Sequence, residues 1–203
     1  MLSKESERIF LFVVGVIYLL LGLGGILDTI NHIDLGLAPI LWLCYLVMIL
    51  IGIGIFTRNS LLVHSQLNII FIPFLIWNLD FYFILFTGNP LFDVAAYFFI
   101  PGPLIGKLIT SQHIFTLPVL VYVLYLLKIR EKRAWIVSMV QIAFVFVFTR
   151  MVSSPDQNIN CVFKSCTNFE FFGYYPLVWF VVFFVMIFVT NYLLTRFRFL
   201  LKR

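Results

Sequence analysis

The sequence has few charged residues: Asp, Glu, Lys and Arg make up 11% of its 203 positions. A typical soluble domain has about 25% charged residues, so this composition excludes an ordinary water-soluble fold. Cysteine and histidine are also scarce, with three of each. The chain has no C-x-x-C pair, no H-E-x-x-H run and no phosphate-binding loop, so we expect no cofactor. Apolar residues are abundant instead, at 63% of the total with 25 phenylalanines.

Apolar windows long enough to cross a bilayer fill most of the chain, since a hydrocarbon core of ~30 Å requires roughly 20 helical residues. Six such windows run from Ile9 to Leu27, Leu37 to Phe56, Leu67 to Phe86, Leu108 to Leu127, Ala134 to Val152 and Tyr175 to Leu194. We therefore predict an all-α polytopic membrane protein with six transmembrane helices. The chain is expected to form a single transmembrane domain over residues 1–203.

Basic residues are grouped at the ends of these windows, which allows the orientation to be predicted. With both termini cytoplasmic, 11 of the 14 basic residues lie inside, as membrane proteins prefer. They are Lys4, Arg8, Arg58, Lys128, Arg130, Lys132, Arg133, Arg196, Arg198, Lys202 and Arg203. We predict this topology, in a plasma or inner membrane. The basic residues form no single patch of the kind that binds nucleic acid, and the expected partners are membrane lipids.

Three connections face outward in this topology, and each differs in character. The first, from Asp28 to Gly36, contains His32. The second, from Thr87 to Lys107, is long and apolar, which suits either a loop packed on the bundle or a lid over an outward-facing cavity. The third contains Cys161 and Cys166, whose spacing permits a disulfide in an oxidising compartment.

Asp80 lies inside the third apolar window, where ionisable side chains are costly and tend to mark functional sites. Counting 1.5 Å per residue from the outer helix ends puts Asp80, Cys44 and His113 at a similar depth of ~8 to 10 Å. Asn78 and Arg150 belong to the same layer. The structural alternatives are that Asp80 is paired with Arg150 or hydrogen-bonded to Asn78 or a tyrosine, that Cys44 is a small buried hydrophobe, and that His113 is interfacial.

A thiol, an imidazole and a carboxylate in one layer are the parts of a nucleophilic site. On this interpretation Cys44 is the nucleophile, His113 is the general base and Asp80 orients the imidazole. A second interpretation is a small carrier or proton relay that uses Asp80 and His113. A third is a structural or assembly partner of another membrane complex.

The same layer also permits a metal-dependent hydrolase. Asp28, His32 and Asp34 of the first outer connection would then join Asp80 and His113 as ligands of a metal that activates water. At the opposite end of the third window, His64, Gln66 and Asn68 are expected to lie at the cytoplasmic interface.

Several short runs resemble those of a known family. They are APILWLC from Ala38 to Cys44, SQHIFTLPVLVYVLYLL around His113, NINCVF around Cys161, and FFGYYPLVWFVV in the last window. These runs resemble the six-helix bacterial YwaF-type membrane proteins, which are related to eukaryotic transmembrane acyltransferases and to androgen-induced hydrolases of fatty-acid esters. The resemblance implies acyl transfer or hydrolysis on lipids, with a Cys or Thr nucleophile and a His, which fall here on Cys44 and His113.

Overall fold

The computed structural model describes residues 3–31, 38–129, 132–168, 173–197 and 199–201. Within these ranges the fold is helical and contains no strand, apart from a single bridge between Ile129 and Leu201. The prediction of an all-α fold is therefore confirmed. The helices are α1 (Lys4–Asn31), α2 (Leu43–Phe56), α3 (Ser60–Thr87), α4 (Leu104–Thr110), α5 (Gln112–Leu127), α6 (Ala134–Val152) and α7 (Tyr175–Arg196).

Five helical segments in the described ranges are long and apolar enough to cross a membrane, which indicates a membrane protein. They are α1, α3, the run Leu104–Leu127 that comprises α4 and α5, α6 and α7. The second apolar window is the exception, because its α-helix has only 14 residues and spans about 21 Å. A 3₁₀ turn at Ala38–Leu41 and an extended Trp42 (ψ 121°) precede this helix.

Helix α3 forms the centre of the bundle, where it contacts α2, α5, α6 and α7. It is 28 residues long and contains Pro73. Many large apolar side chains of the surrounding helices are exposed on the outside of the bundle. Such an outer surface suits contact with lipid. The side of α3 that faces the bundle interior carries buried polar residues, among them His64, Gln66, Asn68 and Asp80.

Polar residues at the start of α3 are fully buried inside the bundle, and nothing in the sequence indicated partners for them. His64, Gln66 and Asn68 each have no exposed surface. The amides of Gln66 and Gln141 exchange two hydrogen bonds, of 2.8 and 2.9 Å, and Asn68 donates to Asn191 at 3.3 Å. Polar side chains between membrane helices bond to one another because lipid provides no partner, and this layer joins α3 to α6 and α7.

The connection between α3 and α4 packs on the bundle. One 3₁₀ turn, Ala96–Phe98, lies in its middle. Its rings at Phe98 and Phe99 each lie 5.2 Å from the ring of Phe81 near the end of α3. The apolar character of this loop, noted in the sequence, thus comes from side chains that cover the C-terminal end of α3.

Helices α1 and α2 approach each other closely at glycines. A Cβ atom added at Gly22 would lie 2.7 Å from Cγ1 of Ile49 and 2.9 Å from the carbonyl oxygen of Tyr45. By contrast, a Cβ atom added at Gly24 would have open space around it: in the described part of the chain, no atom beyond its chain neighbours and its own helix backbone lies within 4 Å. Small residues at such crossings allow the backbones of membrane helices to pack directly.

We predict that Gly22→Ala destabilises the protein by roughly 1–3 kcal/mol, because backbone atoms of α2 would have to move. Gly24→Ala is the matched control, two positions away on the same helix, and should be neutral or slightly stabilising because Ala favours helix over Gly. Thermal unfolding of both variants in detergent measures the difference. Equal midpoints for the two variants would contradict the close packing of α1 on α2.

Candidate functional site

Asp80 is fully buried near the C-terminal end of α3, and backbone amides surround its carboxylate. Oδ1 accepts hydrogen bonds from the N–H groups of Leu91 and Phe92, both at 2.7 Å. Oδ2 accepts from Val94 and Ala95, both at 2.8 Å. Hydrogen bonds from an N–H group to an ionised carboxylate are stronger than those between neutral groups. Four of them can therefore satisfy a buried carboxylate without a neighbouring cation. Asp80 therefore fixes the loop that follows its own helix.

This arrangement differs from the expected partners of Asp80. The guanidinium of Arg150 donates to the carbonyl oxygen of Val162 at 2.9 Å and lies 4.8 Å from the ring centre of Phe163. Asn78 donates to the carbonyl oxygens of Phe74 and His113, both at 2.7 Å. Arg150 thus holds the connection between α6 and α7, and Asn78 joins α3 to α5 at His113.

A cavity of about 800 Å³ opens beside this loop, between α2, α3, α5 and α7. Cys44 and His113 both line it, whereas Asp80 lies behind its wall. Along α7 the cavity extends from Tyr175 to Met186, a distance of ~16 Å at 1.5 Å per residue. That is about half of a ~30 Å hydrocarbon core, and the deep part is apolar, with Ile69 and Met186 among its walls.

His113 is held by its surroundings in one orientation. Its Nδ1 donates to the carbonyl oxygen of Thr110 at 2.7 Å, which leaves the lone pair on Nε2. The ring stacks on Trp77 with a centroid distance of 4.8 Å and lies 4.3 Å from the ring of Phe74. The amide nitrogen of Gln112 lies 3.0 Å from Nδ1 and 3.4 Å from Nε2. The carbonyl of Thr110 thus occupies the orienting position that the sequence assigned to Asp80.

Cys44 lies in the first turn of α2, is half-buried, and is a free cysteine. Among the hydrogen bonds of the described residues, none joins its sulfur to His113. The structure therefore brings the thiol and the imidazole to one cavity without direct bonding between them. Substrate binding often tightens catalytic hydrogen bonds that are loose in an empty site.

Asn160 holds the start of α2, a role that sequence reasoning missed. Its Oδ1 accepts from the N–H of Leu43 at 2.7 Å, and its Nδ2 donates to the carbonyl oxygen of Leu41 at 2.8 Å. Its own backbone is left-handed, with φ 55°, a conformation that Asn tolerates better than most residues. The signal in the sequence was two asparagines, Asn158 and Asn160, beside Cys161 in an otherwise apolar chain.

Cys161 and Cys166 form a disulfide, as the sequence analysis expected, with 5.6 Å between their Cα atoms. Both line the cavity. Two side chains of α7 hold the same loop: the hydroxyl of Tyr175 donates to the carbonyl of Cys161 at 2.8 Å, and the indole of Trp179 donates to the carbonyl of Asn160 at 3.1 Å. The disulfide loop is therefore a fixed wall of the cavity.

His32 and Asp34, two of the five candidate metal ligands, lie outside the described residues. Among the residues that the structure describes, no three His, Cys, Asp or Glu side chains cluster as a metal site. The carboxylate of Asp80 already binds backbone amides, since each of its two oxygens accepts two hydrogen bonds. The described geometry gives the metal interpretation no support.

We predict that Asp80→Ala releases the loop at 91–95, because four N–H groups lose their acceptors. A buried group left unsatisfied costs about 1–3 kcal/mol, and the N–H of Ala95 is buried while the other three are partly buried. Asp80→Asn keeps one oxygen and should have an intermediate effect. Hydrogen exchange of the peptide that contains residues 91–95 measures the change. Asp156→Ala, which removes an exposed carboxylate from the loop between α6 and α7, is the control. Unchanged protection in Asp80→Ala would show that the carboxylate does not hold the loop.

Comparisons with protein-family models, with curated proteins and with solved structures find no match to this chain. The resemblance to the YwaF-type proteins therefore stays a hypothesis that depends on the short runs around Cys44, His113 and Cys161.

Proposed function

We propose that the protein binds an acyl lipid in the cavity and cleaves or transfers its acyl group, as a membrane hydrolase or acyltransferase. The observation that supports this most directly is that one thiol and one imidazole, those of Cys44 and His113, line the same mostly apolar cavity. Its ~16 Å length suits an acyl chain of one leaflet. Ligand sites of this kind are apolar with a few polar groups that fix orientation.

In the proposed reaction, His113 Nε2 takes the proton of the Cys44 thiol, and the thiolate attacks the ester carbonyl of the lipid. The carbon–oxygen bond breaks, the acyl group remains on sulfur as a thioester, and the imidazolium returns the proton to the leaving alcohol. Water then attacks the thioester in a hydrolase, or a second alcohol in a transferase, which restores the thiol. Thr110 keeps the imidazole in the required tautomer through its carbonyl.

A second candidate is a carrier or binding protein that holds the lipid without reacting with it. The lack of a hydrogen bond between Cys44 and His113 among the described residues favours this alternative. A proton relay between Asp80 and His113 is less favoured, because the Asp80 carboxylate is enclosed by four amides and does not line the cavity. The two main candidates differ in whether Cys44 becomes acylated.

We further infer that six helices cross the bilayer with both termini in the cytoplasm of a plasma or inner membrane. The 11 basic residues on one side support this orientation. So does the disulfide of Cys161 and Cys166, which lies at the opposite end of α6 from Arg133, because disulfides persist in oxidising compartments. The cavity then opens toward the outer face.

We predict that a chloromethyl ketone with a twelve-carbon chain labels Cys44 in the unreduced protein, and that Cys44→Ser abolishes the labelling. His113→Gln should slow labelling on the order of a hundredfold, since a general base contributes about 10²- to 10⁴-fold. Mass spectrometry of the intact protein over time gives the rates.

The matched control is His64→Gln, which changes a buried histidine of the inner polar layer and should leave the rate unaltered. Because Cys161 and Cys166 are joined, Cys44 is the thiol available to the reagent. An unchanged rate in His113→Gln would contradict the role of His113 as base and would favour the binding protein.

A further inference from the structure

Asp93 is the centre of the loop that Asp80 holds, and its position is unusual. Asp80 binds the N–H groups of residues 91, 92, 94 and 95 and omits that of Asp93. The backbone of Asp93 is left-handed, with φ 62°, a conformation that non-glycine residues adopt at a cost and often at functional sites. Its side chain is exposed and lines the cavity.

Among the described residues that line the cavity, the carboxylate of Asp93 has no positively charged counterpart. Within the described ranges, no Lys or Arg lines the cavity, and Asp93 is the one acidic side chain that does. No described residue makes a hydrogen bond or an ion pair with the Asp93 carboxylate. A ligand with an anionic head group would therefore meet repulsion in this cavity, and a cationic head group would meet attraction.

Aromatic rings add to this preference. Five of the residues that line the cavity are Trp42, Tyr45, Phe92, Tyr97 and Trp179. Trp77 also lines it, but its ring already stacks on Phe81 and His113. The faces of such rings attract cations, and recognition of quaternary ammonium groups by aromatic side chains is the best-known use of this interaction. One carboxylate and several aromatic side chains that line an apolar cavity form a site with a polar end and an apolar end.

We propose that the cavity selects amphiphiles whose head group has a positive charge, a quaternary ammonium or an amine, with the head at Asp93 and the chain in the apolar depth. This inference rests on the proposed function, because it names the ligand class of the same cavity. Asp80 acts as the positioning residue that holds Asp93 at the cavity through the backbone.

Tryptophan fluorescence tests this proposal directly. Trp42, Trp77 and Trp179 line the cavity and Trp135 does not, so Trp135→Phe leaves three reporters that all border the site. In micelles of the neutral detergent decyl maltoside, three quenchers with the same bromine-ended twelve-carbon chain are compared: the trimethylammonium, the alcohol and the carboxylate. We expect saturable quenching, with the ammonium compound bound about tenfold more tightly than the alcohol and the carboxylate most weakly.

Asp93→Asn is the decisive variant, since it preserves the shape of the side chain and Asn tolerates positive φ. It should raise the dissociation constant of the ammonium compound about tenfold, to that of the alcohol, and leave the alcohol unaffected. Asp156→Asn removes the same charge from an outer loop that does not line the cavity, and should change neither.

The outcomes separate the two proposals. If the three compounds bind equally, or if Asp156→Asn acts as Asp93→Asn does, the head-group preference is wrong while the lipid-binding cavity stands. If no compound quenches saturably, the lipid-binding function itself fails, and the preference fails with it.

Discussion

The carboxylate of Asp80 is the interaction on which the half of the molecule around the cavity depends. In a bilayer, backbone amides that leave a helix must find partners inside the protein, because lipid offers none. Four amides of the loop after α3 find theirs on one side chain. The chain can therefore leave the helical conformation, pass Asp93 in a left-handed turn, and form a wall of the cavity without unsatisfied donors at Leu91, Phe92, Val94 or Ala95.

A second wall of the cavity is built by the same physical means with different residues. Asn160 binds backbone groups on both sides of Trp42, and Arg150 binds the carbonyl of Val162. The disulfide closes the loop from Cys161 to Cys166. Side chains that bind backbone groups thus fix both irregular segments against the helices. The cavity is consequently formed before a ligand arrives, as most small-molecule sites are.

Composition and apolar runs predicted the helical fold, because the length of a membrane helix is set by the bilayer. They overestimated α2, where the extended Trp42 separates the 3₁₀ turn from the helix. The cost of burying a charge in a membrane helix pointed to Asp80 but not to its partners. Every residue other than proline has the same backbone N–H group, and the sequence does not show which of these groups lie near the carboxylate. The rotation of each helix decides whether Cys44 and His113 meet, and no single-sequence pattern determines it. The burial of His64, Gln66 and Asn68 was missed for the same reason.

The central claim is that an acyl chain occupies the space between α2, α3, α5 and α7. Photocrosslinking with a fatty-acyl probe that has a diazirine at its chain end tests this most directly, with the modified residues located by mass spectrometry. The account predicts adducts at the bottom of the cavity, on Ile69 or Met186. Adducts confined to the external groove of α3 and α5, on residues such as Leu75 and Tyr122, would show that the chain contacts only the outer surface and would contradict the account.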